Sequence, residues 1–459
     1  MFNMLSIGKK ALQANEKQLE TTAHNISNVN TPGYSRQRVV QENSSPILNY
    51  FGNMGTGVDL VRVERMRDIG LDNEYRKLNN QLGYWDTTAK HLTDLEKNIL
   101  ETTEFGIGTM INNFFNSWEL LSNNPFSTIH RMEVVEAAER MTESFRDLYR
   151  SIDDRVLDVK YSMQASADRI NQIGEELASL ISNITHHNAD GRPINDLMDK
   201  FDLLIDELSY YGEVQVHHRE NGTFSVYLGT DELARNDHYN KINLVEKSNM
   251  QTGEKEFFLS WNNSYMPIEG LKTGSLKALN DLKDSILPGY QQKLDDLAVQ
   301  IAKAVNSIHT QGISDHIDNS GTYFFNPLVT GVMDFTLSKA VSTDPEYIVT
   351  SLTGATGDNQ IALMITDLRQ SKIFDGQTLT EAFADIVYGI GQDVKLSKIS
   401  TDRSSMMVQQ TDNFRESVKG VSINEETANL LKYQQAYQAA AKIISIADDM
   451  MKTIIGLAR

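Results

Sequence analysis

The sequence lacks several features on which other protein classes depend. It contains no cysteine, which excludes disulfide bonds, thiolate metal sites and thiol nucleophiles. No apolar run reaches the roughly 18 residues that a membrane-spanning helix needs. The N-terminus, from Met1 to Ala14, lacks the apolar core of a cleavable secretory signal. We therefore expect no membrane insertion and, if the protein is exported, a route that leaves its N-terminus intact.

Positive charge is also scarce. The formal net charge is -19, and the sequence contains no cluster of lysine and arginine residues. Phosphate contacts need such clusters, so the composition disfavours binding to nucleic acid. It suits a protein that stays soluble until it meets a specific partner.

Helical spacing of apolar residues, in steps of three and four, dominates what is present. The stretch 131–186 has no proline and a single glycine, Gly174, and predicts one long helix. Similar spacing predicts helices over 71–92, 287–308 and 380–417. These coiled-coil-like seams predict an elongated helical bundle in the middle of the chain.

Near Leu208 the spacing changes to the alternation that is typical of strands. Apolar residues there flank Asn221-Gly222, a strong signal for a two-residue hairpin turn. We interpret 208–270 as a small inserted β domain. A second irregular stretch, around 312–360, contains the turn-rich run Asp318-Asn319-Ser320-Gly321, and we expect it to fold as β-hairpins.

Both ends of the chain carry a heptad-like apolar seam. The C-terminal seam is formed by Leu430, Tyr433, Tyr437, Ala440, Ile444, Ala447, Met451, Ile454 and Ala458. The N-terminal seam is formed by Leu5, Gly8, Leu12, Asn15, Leu19, Thr22, Ile26 and Val29. It is the weaker seam, because Gly, Asn and Thr occupy core positions, and its helix must end before Pro32.

Two heptad helices at opposite ends of one chain favour pairing with each other, since an isolated short helix is marginal in water. Such a pair would still expose apolar flanks. These are Ile7 and Ala11 on one helix and Leu431, Ile443, Met450 and Ile455 on the other. Periodicity alone leaves two interpretations open: the pair docks on its own domain, or it packs against other subunits.

Two terminal motifs resemble a known family. The run Asn25-Ile26-Ser27-Asn28-Val29-Asn30-Thr31-Pro32-Gly33-Tyr34-Ser35-Arg36 resembles the signature shared by flagellar rod, hook and hook-associated proteins. The run 420–430, followed by Tyr433-Gln434-Gln435-Ala436-Tyr437, resembles the matching C-terminal end. Internal segments at 195–208 and 287–309, followed by Phe324-Phe325, are similar to the hook-associated protein 1 (FlgK) family. The resemblance covers nearly the whole chain and is thinnest over 208–270.

The resemblance implies a structural subunit of the bacterial flagellum, in the ring between hook and filament, exported unfolded by the flagellar type III route. The terminal helices would line the inner tube, the bundle would form the next shell, and the β domain would face outward. The implied partners are further copies of the chain, the hook protein, a second hook-associated junction protein, and an export chaperone with the type III apparatus. The family places the chaperone at the C-terminal helix.

The expected subunit interface combines the loop after the first helix with both seams. Its candidate residues are Asn25, Asn28, Asn30, Thr31, Pro32, Gly33, Tyr34, Leu12, Leu19, Ile26, Leu430, Tyr433, Tyr437, Ile444, Met451 and Ile454. Two roles stay open for the loop asparagines. They bond backbone groups of a neighbouring subunit, or they cap their own helix.

Signals for catalysis are weak. The fragments Ser6-Ile7-Gly8-Lys9, Ser122-Asn123-Asn124 and Lys272-Thr273-Gly274 match elements of penicillin-recognising enzymes in order, but each is short enough to arise by chance. The pairs His186-His187 and His217-His218 are poor metal signals, since adjacent side chains point to different sides of a helix or strand. We expect no catalytic residue, no metal and no cofactor.

The predicted fold class is mainly α: a terminal helical coiled coil plus an elongated helical bundle, with a small inserted β domain. The predicted domains are 1–65 with 420–459, then 66–207 with 271–419, and the insert 208–270. The alternative functions are a hook or distal rod axial protein, or a type III-exported helical adhesin or effector.

Overall fold

The computed structural model describes residues 2–49, 52–100, 106–218, 223–248, 255–262, 264–313, 322–355 and 357–457. Helices make up most of these residues, which confirms the mainly α fold class. The chain divides into two compact units. The first unit combines Met1–Gln81, Ile170–Lys241 and Ser404–Arg459, and the second combines Leu82–Arg169 and Ile242–Arg403. None of the described helices is long and apolar enough to cross a membrane.

The long helices follow the predicted seams. The α-helices are α1 (Phe2–Ser27), α2 (Ile69–Leu100), α3 (Ile107–Asn123), α4 (Thr128–Ala189), α5 (Asn195–Tyr211), α6 (Ser275–Asp281), α7 (Leu287–His309), α8 (Lys339–Thr343), α9 (Gln360–Asp367), α10 (Leu379–Lys419) and α11 (Ile423–Leu457). The predicted helices at 71–92, 131–186, 287–308 and 380–417 are confirmed as α2, α4, α7 and α10.

The strands are short and antiparallel. They are β1 (Gln37–Asn43), β2 (Ile47–Asn49), β3 (Gly52–Met54), β4 (Val58–Arg65), β5 (Val214–His218), β6 (Phe224–Leu228), β7 (Asp231–Arg235), β8 (His238–Tyr239), β9 (Ile242–Ser248) and β10 (Lys255–Trp261). β1 pairs with β4, β2 with β3, and β9 with β10, while β5 to β8 form a four-stranded sheet in sequence order.

The small β region inserted mid-chain is confirmed, and its strands form two sheets that belong to different units. In the first unit Phe224 of β6 packs on Phe201 of α5, with ring centroids 5.7 Å apart. In the second unit Phe257 of β10 lies under the ammonium groups of Lys160 and Lys283, 5.9 and 5.5 Å from the ring centroid. Each sheet thus packs against the helices of its own unit. Asn221-Gly222 lies outside the described residues, although β5 and β6 pair as predicted.

The stretch 312–360 differs from the prediction. Its described residues form short helices and isolated bridges, such as Phe325 with Leu337, rather than hairpins. One edge of the segment 324–326 bonds the backbone of Thr336 and Ser338, and the other edge is bound by a side chain. Asn306 Oδ1 accepts the backbone N–H groups of Phe324 and Phe325 at 2.9 and 2.8 Å, and its Nδ2 donates to the Phe325 carbonyl at 3.1 Å. The run Asp318-Asn319-Ser320-Gly321 lies outside the described residues.

The core of the second unit explains why the Phe-Phe pair stands out in the sequence. Its largest fully buried side chains are Phe114, Phe115, Trp118, Phe145, Phe324, Phe325 and Phe335. Most neighbouring rings meet edge-on or tilted, with centroids 4.8 to 6.4 Å apart, the geometry that aromatic pairs prefer.

Candidate functional site

The terminal helices α1 and α11 pack against each other in the first unit, as their seams predict. Asn25 lies beside Glu426 at one end of the pair, and Gly8 lies against Ile444 farther along, so the two helices run in opposite directions. Gly8 permits a close approach: a Cβ atom there would lie 2.9 Å from Ile444 Cγ1. Gly8, which makes the N-terminal seam less apolar, thus lies at a close helix contact that a residue with a side chain would not fit.

Pairing buries the seams only in part. Ala440 and Ala447 are buried, at 3% and 1% exposure. Gly8 and Thr22 of the N-terminal seam are buried as well, Thr22 at 3% exposure. The remaining predicted seam residues of the described chain retain partial or greater exposure; they include Leu12, Leu19, Ile26, Leu430, Tyr433, Tyr437, Ile444, Met451 and Ile454. A seam that is half-covered in one copy has room for a further helix layer.

The last turns of α11 are the ones that α1 covers least. The step from Asn25 to Gly8 on α1 corresponds to the step from Glu426 to Ile444 on α11, from which we infer that α1 reaches to about residue 450 of α11. Beyond that point the apolar side chains are exposed; the exposed fractions are 49% for Ile454, 63% for Ile455 and 83% for Leu457. We call these three residues the α11 overhang. Ala458 lies outside the described residues.

Asn25 holds the loop after α1 in place. Its Nδ2 donates to the Gln37 carbonyl at 3.0 Å and to Glu426 Oε2 at 3.2 Å. Its Oδ1 accepts the Tyr34 hydroxyl at 2.7 Å and the Gln37 N–H at 2.9 Å. Both amide hydrogens and both lone-pair directions of a residue that is 1% exposed are thereby used. The neighbouring side chain His24 also bonds Tyr34, with Nδ1 3.0 Å from the hydroxyl.

Arg36 connects the loop to the start of α11. Its Nε donates to Glu426 Oε1 at 2.8 Å, and a second guanidinium nitrogen lies 2.7 Å from the same oxygen. Glu426 is 2% exposed and lies in the first turn of α11. A negative charge at this end of a helix interacts favourably with the helix dipole. The Arg36 N–H also donates to the Lys419 carbonyl at 2.8 Å. The link between α10 and α11 is thus attached to the N-terminal loop through both backbone and side chain.

The other loop residues divide into bonded and exposed positions. Asn28 Nδ2 donates to the His24 carbonyl at 3.0 Å, so Asn28 caps its own helix. Gly33 adopts a φ of +76°, where a Cβ would be strained. Asn30, Thr31 and Pro32 are exposed, and Thr31 bonds Asn28 through its hydroxyl and its N–H. Asn25 and Asn28 therefore form hydrogen bonds within their own chain, while the side chains of the tip are exposed.

A cluster of largely buried ion pairs lies next to the loop. It joins four arginines to four aspartates: Arg65, Arg67, Arg76 and Arg415 with Asp72, Asp199, Asp202 and Asp206. Asp199 also accepts the Ser35 N–H at 2.9 Å, which ties the cluster to the loop. We call this set the Arg–Asp cluster.

Arg415 is the most central member of the Arg–Asp cluster. It is 4% exposed, donates from Nε to Asp72 at 2.8 Å, pairs with Asp206, and lies 4.1 Å from the ring centroid of Tyr75. Burial acts to raise the pKa of Asp72, but the hydrogen bonds and charges of Arg67 and Arg415 outweigh it and hold that pKa below its usual value. The carboxylates are thus paired with arginine, and the cluster ties together the helices and the loop of the first unit.

No group of three or more His, Asp or Glu side chains within the described ranges is arranged to hold a metal ion. Sequence reasoning identified Asn25 but missed Arg36, Glu426 and the Arg–Asp cluster as its supports. The two terminal motifs carry opposite charges, Arg36 in one and Glu426 in the other. This was the sequence signal that could have predicted their ion pair.

Family models match three parts of the chain. The flagellar hook-associated protein FlgK helical domain matches residues 92–325. The flagella basal body rod protein model matches residues 5–34, and the flagellar basal body rod FlgEFG protein C-terminal model matches residues 417–457.

Curated relatives match along the whole length. Flagellar hook-associated protein 1 of Bacillus subtilis is 30% identical over 99% of this chain and 98% of its own. The proteins of the same name from Salmonella typhimurium and Escherichia coli are 24% and 23% identical over the full length of both chains. Among solved structures, the flagellar hook junction protein FlgK from Burkholderia pseudomallei has a TM-score of 0.63 at 15% identity, covering 76% of this chain and all of that one. That likeness shows a shared fold.

Proposed function

The chain belongs to the flagellar hook-associated protein FlgK family, and from this we propose that it is a structural subunit of the bacterial flagellum at the hook–filament junction. One observation carries the proposal. The FlgK helical domain matches residues 92–325, whereas the models for rod proteins match only the two ends. The middle of the chain therefore favours a junction protein over the alternative of a hook or distal rod protein.

We infer that the subunits polymerise through α1 and α11. A single copy already pairs the two helices, yet leaves the seams half-covered and the α11 overhang exposed. Burying an apolar side chain of this size contributes about 1.5–3 kcal/mol. A neighbouring copy that covers Ile454, Ile455 and Leu457 would gain that stabilisation.

Burial and hydrogen bonding within one copy favour the exposed tip of the loop as the part that contacts a neighbouring subunit. Asn25, Asn28 and Tyr34 are engaged within the chain, so their role is to shape the loop. The exposed tip, Asn30 with Thr31 and Pro32, is the part that we assign to the neighbouring copy. Pro32 fixes the path of the tip, which lowers the entropic cost of ordering it at a contact.

The remaining roles follow the family. The protein would bind the hook protein on one side and a second hook-associated junction protein on the other. It would leave the cell unfolded by the flagellar type III route, with an export chaperone covering α11 beforehand. The residues 1–65 and 420–459 would form the axial part of the subunit, and the function would involve no catalysis.

The test uses paired substitutions on exposed apolar residues. Ile454→Asp with Leu457→Asp places charge on the α11 overhang without disturbing the fold of a single copy, because both side chains are already exposed. We expect cells carrying this variant to keep hooks, to lose filaments and to release flagellin into the medium. Deletion of 422–459 should give the same phenotype.

The matched control is Tyr265→Asp with Met266→Asp, since these residues are 76% and 68% exposed in the second unit. Filaments should remain attached in the control. Normal filaments in the deletion strain would rule out the junction role. Normal filaments in the overhang variant alone would show that assembly does not depend on these turns.

A further inference from the structure

Within the second unit, α10 exposes large apolar side chains. Between 388 and 403 it buries Ile390, Val394, Ser397 and Ser400, at 1–5% exposure, while further apolar side chains face outward. The outward residues are Tyr388 at 66%, Leu396 at 56% and Ile399 at 55% exposure. A surface helix normally turns its apolar stripe inward. Single exposed apolar residues need no explanation, but a stripe of them on one helix face marks a contact surface.

Basic side chains accompany this stripe. Lys395 and Arg403 are exposed on the same side of α10, since their positions fall within a quarter turn or so of Tyr388 or Ile399. Within the part of the chain that the structure describes, neither residue forms an ion pair. The exposed Asp402 lies on the same side of the helix, next to Arg403, so basic residues outnumber acidic ones there by two to one. We call Tyr388, Lys395, Leu396, Ile399 and Arg403 the α10 face.

A second surface of the same unit has the opposite charge. On α4, Leu157 and Tyr161 are 49% and 70% exposed and share one face of the helix. Asp154 and Asp168 are exposed on either side of them along the same face. Asp168 accepts a hydrogen bond from Gln164 at 3.0 Å, and Asp154 forms no ion pair among the described residues. We call Asp154, Leu157, Tyr161 and Asp168 the α4 face.

We propose that the α10 face of one copy packs against the α4 face of the next copy. Each face has an apolar centre between charges: Lys395 and Arg403 outnumber Asp402 on α10, whereas Asp154 and Asp168 lie beside the apolar residues of α4. Both faces belong to the second unit and share no residue, so each copy carries both halves of the proposed contact. Such a head-to-tail contact between different surfaces is the kind that builds rings and tubes.

The charges argue for a second copy as the occupant. A chain with a net charge of -19 repels its own copies, so lateral packing needs a local attraction. Unpaired basic residues beside an apolar stripe supply it against an acidic surface of the same chain. The contact is small, so it operates where the terminal helices already hold copies side by side. The inference therefore rests on the proposed function and adds a lateral contact to it.

The absence of cysteine makes the contact easy to test. The double variant Leu157→Cys with Ile399→Cys carries one thiol on each face. After treatment of isolated flagella with a short bis-maleimide, we expect a ladder of covalently linked chains. Each single variant should give no linked chains, because the two faces are different surfaces. The matched control, Ile399→Cys with Tyr265→Cys, should give no ladder.

Charge reversal provides an independent readout. Lys395→Glu with Arg403→Glu should raise the protein concentration needed for assembly by about tenfold or more, since it places like charges in contact. Asp154→Lys with Asp168→Lys should do the same, and the four changes together should restore assembly. The control is Lys303→Glu with Lys339→Glu, which changes the net charge by the same amount at two exposed positions elsewhere in the second unit. It should leave assembly unchanged.

The outcomes separate this inference from the function on which it rests. Normal filaments without a ladder, or a quadruple variant that is not restored, would overturn the α4–α10 contact while leaving the junction role intact. A linked product that contains a different protein would also overturn it, since another partner would then cover α10. Failure of the wild-type chain to assemble at all would instead contradict the proposed function.

Discussion

Asn25 Nδ2 donates a hydrogen bond to Glu426 Oε2 at 3.2 Å, joining two buried residues that lie 401 positions apart in the sequence. One belongs to the motif near the N-terminus and the other to the motif near the C-terminus. The bond, together with the Arg36–Glu426 pair, fixes the start of α11 against the end of α1. The two terminal motifs thus form one local structure within a single copy, and the seams of α1 and α11 stay partly exposed beside it.

Asn25→Asp should loosen the terminal pair. The change removes the Nδ2 donor and places a carboxylate beside that of Glu426, so a buried repulsion replaces a hydrogen bond. We expect a loss of about 2–4 kcal/mol in the free energy of opening α1 from α11. Hydrogen exchange of the α11 backbone amides measures this directly.

Asn30→Asp is the control for that change, because Asn30 is exposed in the same loop. Its exchange rates should match those of the wild type, with any difference within about 0.5 kcal/mol. Equal protection of α11 in the Asn25→Asp variant and the wild type would show that Asn25 does not hold the pair together.

Replacing Arg415 should destabilise the first unit. Arg415→Met leaves Asp72 and Asp206 without one of their cations, and breaking a buried pair in this way costs about 3–5 kcal/mol. Arg415→Lys should also lose stability, because an ammonium group lacks the planar fork that bridges both carboxylates and stacks over Tyr75. Urea unfolding monitored on the first unit gives both values.

The control for Arg415→Lys is Arg235→Lys, an exposed arginine of the same unit that lies 3.8 Å from Glu232. Surface pairs of this kind contribute little, so we expect a change within about 0.5 kcal/mol. If Arg415→Lys matched this control, the Arg–Asp cluster would act only through its net charge.

Gly8→Ala should weaken the terminal pair even though alanine favours helix by about 1 kcal/mol. The added Cβ would lie 2.9 Å from Ile444 Cγ1 and 3.4 Å from Ile443 Cγ2, so the helices must separate. Overpacking of this kind costs about 1–3 kcal/mol. Gly456→Ala is the matched control, because a Cβ there meets nothing within 4 Å, and it should stabilise α11 slightly. A stabilising Gly8→Ala would contradict the close approach.

Much of the fold could be predicted from apolar spacing. The seams at the two ends predict α1 and α11, and the long proline-free stretch predicts α4. The supports of the loop could not be predicted in the same way. Glu426 stands among exposed polar residues at the start of a helix, and nothing in its spacing shows that it is buried. Its burial depends on Arg36, which is 390 positions away in the sequence.

The β insert and α10 show the same limit. Alternation predicts strands, but it does not show that β6 packs on α5 while β10 packs with residues of the second unit. Spacing predicts that 380–417 is helical, but not that its middle buries Ser397 and Ser400 and exposes Leu396. Which face of a helix is covered depends on its neighbours, and these come from distant parts of the chain.

His309 should make the second unit sensitive to acid. The ring is fully buried: Nδ1 lies 2.7 Å from the Thr322 carbonyl, and Nε2 accepts the Val349 N–H at 3.0 Å. This arrangement suits the neutral ring, with its proton on Nδ1. Burial, helped by the charge of Arg131, lowers the pKa of His309 to about 4. A second proton would have to enter at Nε2, against the Val349 N–H.

The sign of the pH dependence follows from that depressed pKa. Between pH 6.5 and about 4 the unfolded chain binds a proton at this histidine and the folded chain does not, so stability falls as the pH falls through this window. The full loss is about 3 kcal/mol and is complete below pH 4. His309→Gln should be less stable at pH 7 but should show a flatter profile between pH 6.5 and 4. His217→Gln, an exposed change on β5, should keep the wild-type slope, and an equally steep profile in His309→Gln would assign the acid sensitivity to other groups.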